Sequence, residues 1–84
     1  MHSFQIDPNL DVPIYKQLVD SISSSIRSSD LPAGTRLPTV RRLADQLGVA
    51  NGTVKRAYDE LEKEKLIEKS QGRGTFVSYL PESS

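Results

Sequence analysis

Between residues 13 and 29, apolar side chains recur at the spacing of one face of an α-helix. Five of them occupy positions i, i+3, i+4, i+7 and i+11: Tyr15, Leu18, Val19, Ile22 and Ile26. Pro13 suits the first helical position, because proline lacks the backbone N–H group that would have no partner there. The pattern therefore predicts an amphipathic helix over about residues 13–29, with serine on most of its opposite face.

A second, shorter helix is predicted over residues 39–48. Its apolar stripe consists of Val40, Leu43, Ala44 and Leu47. Thr39 can cap its first turn, and Gly48 can end it because glycine adopts a positive φ at little cost. Residues 35–38 precede this helix as a short extended piece, since the residue before a proline is disfavoured in the α region.

A third helix is predicted after a tight link at residues 48–50. Its apolar positions lie at i, i+3, i+4 and i+7: Val54, Ala57, Tyr58 and Leu61. Asn51 is the expected N-cap, because its side chain can accept a hydrogen bond from the free N–H groups of a first turn. The charged residues 60–65 are expected to end the helix. Tyr15 and Tyr58 both fall on apolar stripes, so we expect both in the core.

Two short strand-like segments follow, at residues 66–70 and 75–79. The loop between them holds two glycines that permit a sharp reversal, so the pair predicts a β-hairpin. Helix, extended piece, helix, turn, helix and hairpin is the order of elements in a winged helix-turn-helix. We therefore expect an α+β fold of three helices plus a C-terminal two-stranded β-hairpin wing, in which the third helix is the recognition helix.

This order of elements divides the chain into three parts. Residues 1–12 are expected to form an extended N-terminal arm with a turn at residues 7–9. Residues 13–79 form the winged helix-turn-helix domain, and residues 80–84 form a linker or tail. A length of 84 residues suits one domain, because domains usually hold about 50–250 residues.

The composition excludes several classes of protein. The chain has no cysteine, which excludes disulfides and thiolate metal sites, and no apolar run near the roughly 18–20 residues that cross a bilayer. Its start lacks the regions of a signal peptide, so we expect a cytoplasmic protein with no membrane partner. His2 has no potential metal ligand within four positions, and the serines of the first helix have no base at triad-like spacing. We therefore expect no metal, no cofactor and no enzymatic activity.

Charge is balanced over the whole chain but not along it. The 11 Lys and Arg residues equal the 11 Asp and Glu residues, whereas residues 31–56 hold five basic side chains against one acidic side chain, a local balance of +4. The five are Arg36, Arg41, Arg42, Lys55 and Arg56. Arg73 adds a charge at the tip of the predicted wing. A polyanion could meet such a cationic face, although a solvated helix face explains the charge pattern equally well.

Six motifs occur in a fixed order between residues 13 and 77. They are PIYKQL at 13–18, LPTVRRLA at 37–44, LGV at 47–49, TVKRAY at 53–58, LE at 61–62 and GRGTFV at 72–77. Together they resemble the N-terminal DNA-binding domain of the GntR family of bacterial transcription regulators. The resemblance covers nearly the whole chain, and it implies sequence-specific binding of double-stranded DNA by the reading domain of a regulator, expected to be a repressor.

The resemblance also implies roles for individual residues. Arg41, the arginine that follows Leu-Pro-x-x, would contact DNA, residues 50–55 would enter the major groove, and the backbone at Gly72 would approach the minor groove. Most members of the family have Ser-Arg where this chain has Ala50-Asn51. A capping hydroxyl and a base-reading arginine are therefore missing here, and the resemblance does not extend to the base sequence that the third helix reads.

The candidate DNA contacts follow from the charge pattern and the resemblance together. The expected phosphate or groove contacts are Arg36, Arg41, Arg42, Arg56 and Arg73. The expected base contacts are Asn51, Thr53 and Lys55. The remaining candidates are Thr39, Gly52 and Gly72. Because Lys55 and Arg56 project about 100° apart on a helix, we expect one of the two to face a phosphate or a carboxylate instead of a base.

A winged-helix module that docks an acidic protein partner is the alternative function. Such a module would use the same basic surface, but it has no need of basic residues at both helix starts and at the wing tip together. The salt dependence of DNA binding would distinguish the two functions.

We expect the isolated domain to be a monomer that pairs on DNA or in a full-length protein. The unassigned apolar candidates for an interface are Phe4, Ile6, Leu10 and Leu80. Four scattered side chains are too few to anchor the roughly 1,200–2,000 Å² of a stable interface. The family resemblance implies that an effector ligand acts through a C-terminal domain beyond residue 84.

Overall fold

Three helices and three short strands make up the computed structural model, which describes residue 4 and residues 6–79. Their bounds are α1 Ile14–Arg27, β1 Arg36–Leu37, α2 Val40–Leu47, α3 Asn51–Lys63, β2 Ile67–Ser70 and β3 Gly74–Val77. Every predicted helix and strand is present, with ends within a few residues of those predicted. None of the helices in this part of the chain is both long and apolar enough to cross a membrane.

α1 begins one residue later than predicted, because Pro13 is its N-cap and not its first helical residue. The backbone at Pro13 is extended, with φ −55° and ψ 146°. Its carbonyl oxygen accepts from the N–H groups of Lys16 at 3.0 Å and Gln17 at 3.1 Å. The predicted apolar face of α1 is turned into the protein, where Leu18 and Ile22 are fully buried.

The chain ahead of α1 turns back instead of running extended. Its turn is held by Gln17, whose Nε2 donates to the carbonyl oxygens of Asp7 at 2.9 Å and Val12 at 2.8 Å, and whose Oε1 accepts from the N–H group of Asp7 at 2.6 Å. The turn predicted at residues 7–9 is present, but the extended conformation predicted for the arm is wrong for residues 7–12, because these hydrogen bonds fold them onto α1. Residues 1–3 and 5 of the arm and the predicted tail at 80–84 lie outside the described residues.

Both ends of α2 are capped as predicted. The Thr39 hydroxyl oxygen accepts from the N–H group of Arg42 at 3.1 Å, which satisfies one of the free donors of the first turn. Gly48 follows the helix with φ +70°, a left-handed conformation that favours glycine. These two caps explain why a helix of only eight residues has sharp ends.

α3 begins with Ala50 as its N-cap, so the prediction that Asn51 caps this helix is wrong. Ala50 has an extended backbone and no side chain that can bond the first turn, while its carbonyl oxygen accepts from the N–H group of Thr53 at 3.1 Å. Asn51 is already the first helical residue, whereas an N-cap lies just outside the helix. The link from α2 spans residues 48–50 as predicted, and the Asn51 side chain has no capping role.

The sheet has three strands instead of the two of the predicted wing. Its order is β1-β3-β2, and both pairings are antiparallel. Arg36 of β1 lies opposite Phe76 of β3, and the Val77 N–H group donates to the carbonyl oxygen of Thr35 at 2.9 Å. The extended piece predicted at residues 35–38 thus becomes a third strand, because it pairs backbone groups on the edge of β3 that a two-stranded hairpin would leave open.

One hydrophobic core draws on every element. Its buried side chains are Leu18, Ile22, Ile26, Leu31, Leu37, Leu43, Ala44, Val54, Ala57, Tyr58, Leu61, Leu66, Ile67 and Val77. Tyr58 is 1% exposed, and its hydroxyl donates to the carbonyl oxygen of Pro38 at 2.7 Å, so its predicted place in the core is confirmed. Tyr15 is only half-buried and packs against the edge of the core.

Replacing Tyr58 with Phe should destabilise the domain by about 1 kcal/mol, because the Pro38 carbonyl oxygen loses its donor while the ring stays buried. Urea unfolding at neutral pH measures this loss. Tyr79→Phe is the matched control, since the Tyr79 side chain is 77% exposed and the same substitution there should leave the unfolding midpoint unchanged. Equal midpoints for all three proteins would contradict the prediction.

Tyr58→Phe should also change how the free energy of unfolding depends on pH in the alkaline range. Burial raises the pKa of Tyr58, so the folded domain keeps a proton that the unfolded chain has lost above a tyrosine pKa of about 10. The stabilisation by the neutral phenol is complete below about pH 10 and is lost as the pH rises further. Above that pH, the wild type should lose up to about 1.4 kcal/mol more per pH unit than Tyr58→Phe. Parallel pH profiles of the two proteins would contradict this expectation.

Candidate nucleic-acid interface

The candidate residues lie on three parts of the domain. The start of α2 carries Thr39, Arg41 and Arg42. The first turns of α3 carry Asn51, Gly52, Thr53, Lys55 and Arg56. The sheet and its wing loop carry Arg36, Gly72 and Arg73. All of these residues are exposed except Thr53, which is half-buried.

The arginines of this set are exposed cations without an ion-pair partner in the described part of the chain. Arg36, Arg41, Arg42, Arg56 and Arg73 form no ion pair with any carboxylate in the described part of the chain. The first turns of α2 and α3 contain no acidic residue, and the start of a helix carries a partial positive charge of its own. The exposed starts of α2 and α3 are therefore suited to an anionic ligand.

Lys55 differs from the arginines because it is bound to a carboxylate. Its Nζ lies 3.2 Å from Oδ2 of Asp59, one turn further along α3. The other oxygen of Asp59 lies 3.0 Å from Nζ of Lys69 on β2, and Lys69 also reaches Glu62 at 3.5 Å. Asp59 thus bridges the recognition helix and the wing. Of Lys55 and Arg56, it is Lys55 that faces a carboxylate.

This cluster shifts the pKa values of its members. Hydrogen bonds from Lys69 and Lys55 lower the pKa of the Asp59 carboxyl group, and the hydrogen bond to Asp59 raises the pKa of Lys69. The side chains are between 41% and 64% exposed, so solvent screens these pairs and they contribute little to stability. Their effect is to orient the two lysines.

Arg56 lies on the ring of Tyr15. Its guanidinium carbon is 3.9 Å from the ring centroid, and its Nη2 donates to the Tyr15 hydroxyl oxygen at 3.3 Å. The pair stands in a cleft of about 370 Å³ between the starts of α1 and α3, called the α1–α3 cleft below. Its lining residues are Pro13, Ile14, Tyr15, Gly52, Thr53 and Arg56.

The wing turns at two glycines that have different surroundings. Gly72 has φ +81°, and a Cβ atom there would have no atom within 4 Å, so its backbone is open to a ligand. Gly74 has φ +126°, and a Cβ atom there would lie 3.0 Å from Nε of Arg36. The absence of a side chain at Gly74 therefore makes room for Arg36 at the base of the wing.

Three residues of this surface were not among the predicted site residues. Asp59 is detectable in the sequence, because it follows Lys55 at the i, i+4 spacing of helical ion pairs. Lys69 joins that pair only through the packing of β2 against α3. Tyr15 is 41 positions from Arg56. Its place on an apolar stripe predicts only a core position, so the sequence gives no signal of its contact with a basic residue.

Three helices, a tight link between the second and third, and a sheet with a glycine wing loop define a winged helix-turn-helix domain. The expected fold class is therefore confirmed, with a third strand added. The chain belongs to the GntR family, described as bacterial regulatory proteins, whose family model matches residues 14–77.

Known relatives agree with this assignment. The HTH-type transcriptional regulator Rv1152 of Mycobacterium tuberculosis is 47% identical over 74 residues, which are 88% of this chain and 61% of that protein. The HTH-type transcriptional repressor YtrA of Bacillus subtilis is 40% identical over 74 residues, which are 88% of this chain and 57% of that protein. The chain thus spans about three fifths of the length of these relatives.

A solved structure of a DNA-binding domain shows the same fold. The DNA-binding domain of AraR, in a crystal structure with its operator ORX1, superposes with a TM-score of 0.78 at 30% sequence identity. The superposition covers 93% of this chain and 100% of that one.

Replacing Asp59 with Asn should release Lys55 and Lys69 with little loss of stability, less than about 1 kcal/mol, because the pairs are exposed. The pKa of Lys69 should fall, since the hydrogen bond from its ammonium group to the carboxylate is the largest cause of its rise. An NMR titration of the lysine side chains measures this change. Glu60→Gln is the control, because Glu60 pairs with Lys63, at 3.9 Å, and with no other basic residue among those the structure describes. An unchanged Lys69 pKa in Asp59→Asn would show that the bridge is absent in solution.

Proposed function

We propose that this chain binds double-stranded DNA sequence-specifically, as the DNA-reading domain of a bacterial transcription repressor. The observation that carries the proposal is the set of arginines without acidic partners at the start of α2, on α3 and on the wing. The AraR domain bound to operator DNA and the repressor YtrA, both relatives of this chain, support the same function.

In this proposal, α3 enters the major groove with its first two turns. Asn51, Thr53 and Lys55 contact base edges, because asparagine can pair with adenine and lysine can donate to guanine. Gly52 brings the helix backbone close to the bases. Lys55 must exchange its contact with Asp59 for one with DNA, which both groups can do at little cost because they are exposed.

The other candidates hold the DNA backbone on either side of α3. Arg41 and Arg42 contact phosphates from the start of α2, where Thr39 caps the helix and fixes their position. Arg73 contacts the backbone from the wing, and Gly72 lets the wing approach the minor groove. Such contacts position the domain on the duplex without reading its sequence.

The domain acts by binding alone and catalyses no reaction. The relatives are longer than the matched region, and in this proposal a further domain of that kind senses the effector and holds two copies together. The protein works in the cytoplasm. Two copies of the domain then read two half-sites on one face of the duplex, since symmetric regulators bind near-palindromic operators.

The first test is the salt dependence of DNA binding. One domain with about four to six phosphate contacts should show a slope of about −3.6 to −5.4 in log affinity against log salt, at about 0.9 counterion per contact. Fluorescence anisotropy with a labelled duplex at several salt concentrations measures the slope. No binding at low salt, or binding that does not depend on salt, would favour docking to an acidic protein instead.

The second test separates residues that position the domain from residues that read bases. Arg41→Ala and Arg73→Ala should weaken binding to a selected operator and to random duplex by similar factors, because phosphates carry no sequence information. Asn51→Ala and Lys55→Ala should reduce the preference for the operator by about 1–3 kcal/mol each. The operator is obtained by selection from a random library.

Asn51 offers a clean measurement in this second test, because its side chain has no capping role whose loss would disturb α3. An unchanged preference for the operator in both Asn51→Ala and Lys55→Ala would contradict base reading by α3. A loss confined to operator DNA in Arg41→Ala would show that Arg41 reads a base.

A further inference from the structure

Arg56 is held in a fixed position by a residue from another helix. The central carbon of its guanidinium group lies 3.9 Å from the centre of the Tyr15 ring, and its Nη2 donates a hydrogen bond of 3.3 Å to the Tyr15 hydroxyl oxygen. Tyr15 itself is half-buried and packs against the core. The ring is therefore a rigid platform for an arginine that otherwise extends into solvent.

The stacked guanidinium group keeps most of its binding capacity. Arginine has five N–H donors in one plane, and a cation–π contact with a ring face occupies none of them with a hydrogen-bond acceptor. One donor is directed to Tyr15. The remaining donors have no carboxylate partner among the described residues.

The surroundings of Arg56 favour an anion. None of the six residues that line the α1–α3 cleft is acidic. The walls of the cleft are the starts of α1 and α3. A ligand that reaches Arg56 therefore lies at the side of α3 that faces α1. The sugar–phosphate backbones flank a helix that lies in the major groove, and a phosphodiester accepts paired hydrogen bonds from one guanidinium group.

We propose that the α1–α3 cleft binds a phosphodiester of the DNA backbone through Arg56, and that Tyr15 is the positioning residue for this contact. The proposal rests on the proposed DNA-binding function and adds a residue of α1 to it. The physical gain is preorganisation. A free arginine side chain loses rotamer freedom when it binds, whereas the stack on Tyr15 has already fixed this one.

The test compares variants of both residues in the salt-dependent DNA-binding assay. Arg56→Gln should weaken binding to operator and random duplex alike and reduce the salt slope by about 0.9, because one phosphate contact is lost. Tyr15→Leu keeps an apolar side chain but removes the platform, and should weaken binding about threefold to tenfold with the slope unchanged. Tyr15→Phe keeps the ring and should bind within about twofold of the wild type.

A double substitution distinguishes positioning from a structural role. If Tyr15 acts through Arg56, Tyr15→Leu should cause no further loss of affinity in the Arg56→Gln background. An equal loss in both backgrounds would overturn the positioning role of Tyr15. A wild-type affinity and slope in Arg56→Gln would overturn the phosphate contact itself.

Two controls keep these outcomes separate from folding and from the general function. Lys63→Gln removes one positive charge at the far end of α3, where Lys63 pairs with Glu60, and should leave the slope unchanged. Thermal unfolding of every variant sets an assay temperature at which all are folded. Salt-dependent binding by the wild type tests the proposed function independently. Tyr15 variants with wild-type affinity would therefore overturn the positioning role of Tyr15 and leave the proposed DNA binding intact.

Discussion

Burial of one face of α3 is the constraint on which the rest of the domain depends. Val54, Ala57, Tyr58 and Leu61 are at most 1% exposed, and the other elements pack around them into a single core. A chain this small buries only about 60% of its unfolded surface, so it has no second core to rely on. The helix proposed to read DNA is thus also the centre of the fold. The packing of its buried face fixes the position of the residues on its exposed face.

The helices could be predicted because their signals are local. Apolar spacing located all three, and the ends of α2 were marked by the side-chain hydroxyl of Thr39 and the conformational freedom of Gly48. The predictions that were wrong concern an N-cap for which two neighbouring residues compete and a strand whose pairing partner is distant in the sequence. Asn51 is a better N-cap than Ala50 by side chain, yet Ala50 is the N-cap of α3. The pairing of β1 with β3 joins Arg36 and Phe76, which are about 40 residues apart.

The candidate site shows the same division. The basic residues and wing glycines were identifiable from charge and motif, and the structure leaves all of them accessible or half-buried. The contact of Arg56 with Tyr15 and the contact of Lys69 with Asp59 were not identifiable from the sequence. The Tyr15 platform under Arg56 and the reach of Lys69 to Asp59 both join residues from different elements, so they exist only once α1 and β2 have packed against α3.

The bridge at Asp59 makes the recognition helix and the wing a single module. Lys55 on α3 and Lys69 on β2 bind opposite oxygens of one carboxylate, so a side chain proposed to read bases is linked to a strand of the wing. In a domain without a lysine at the position of Lys69, a transplanted α3 would keep only the contact of Asp59 with Lys55. Exchange of DNA specificity with such a domain would therefore have to move α3 and β2 together to keep both contacts of Asp59.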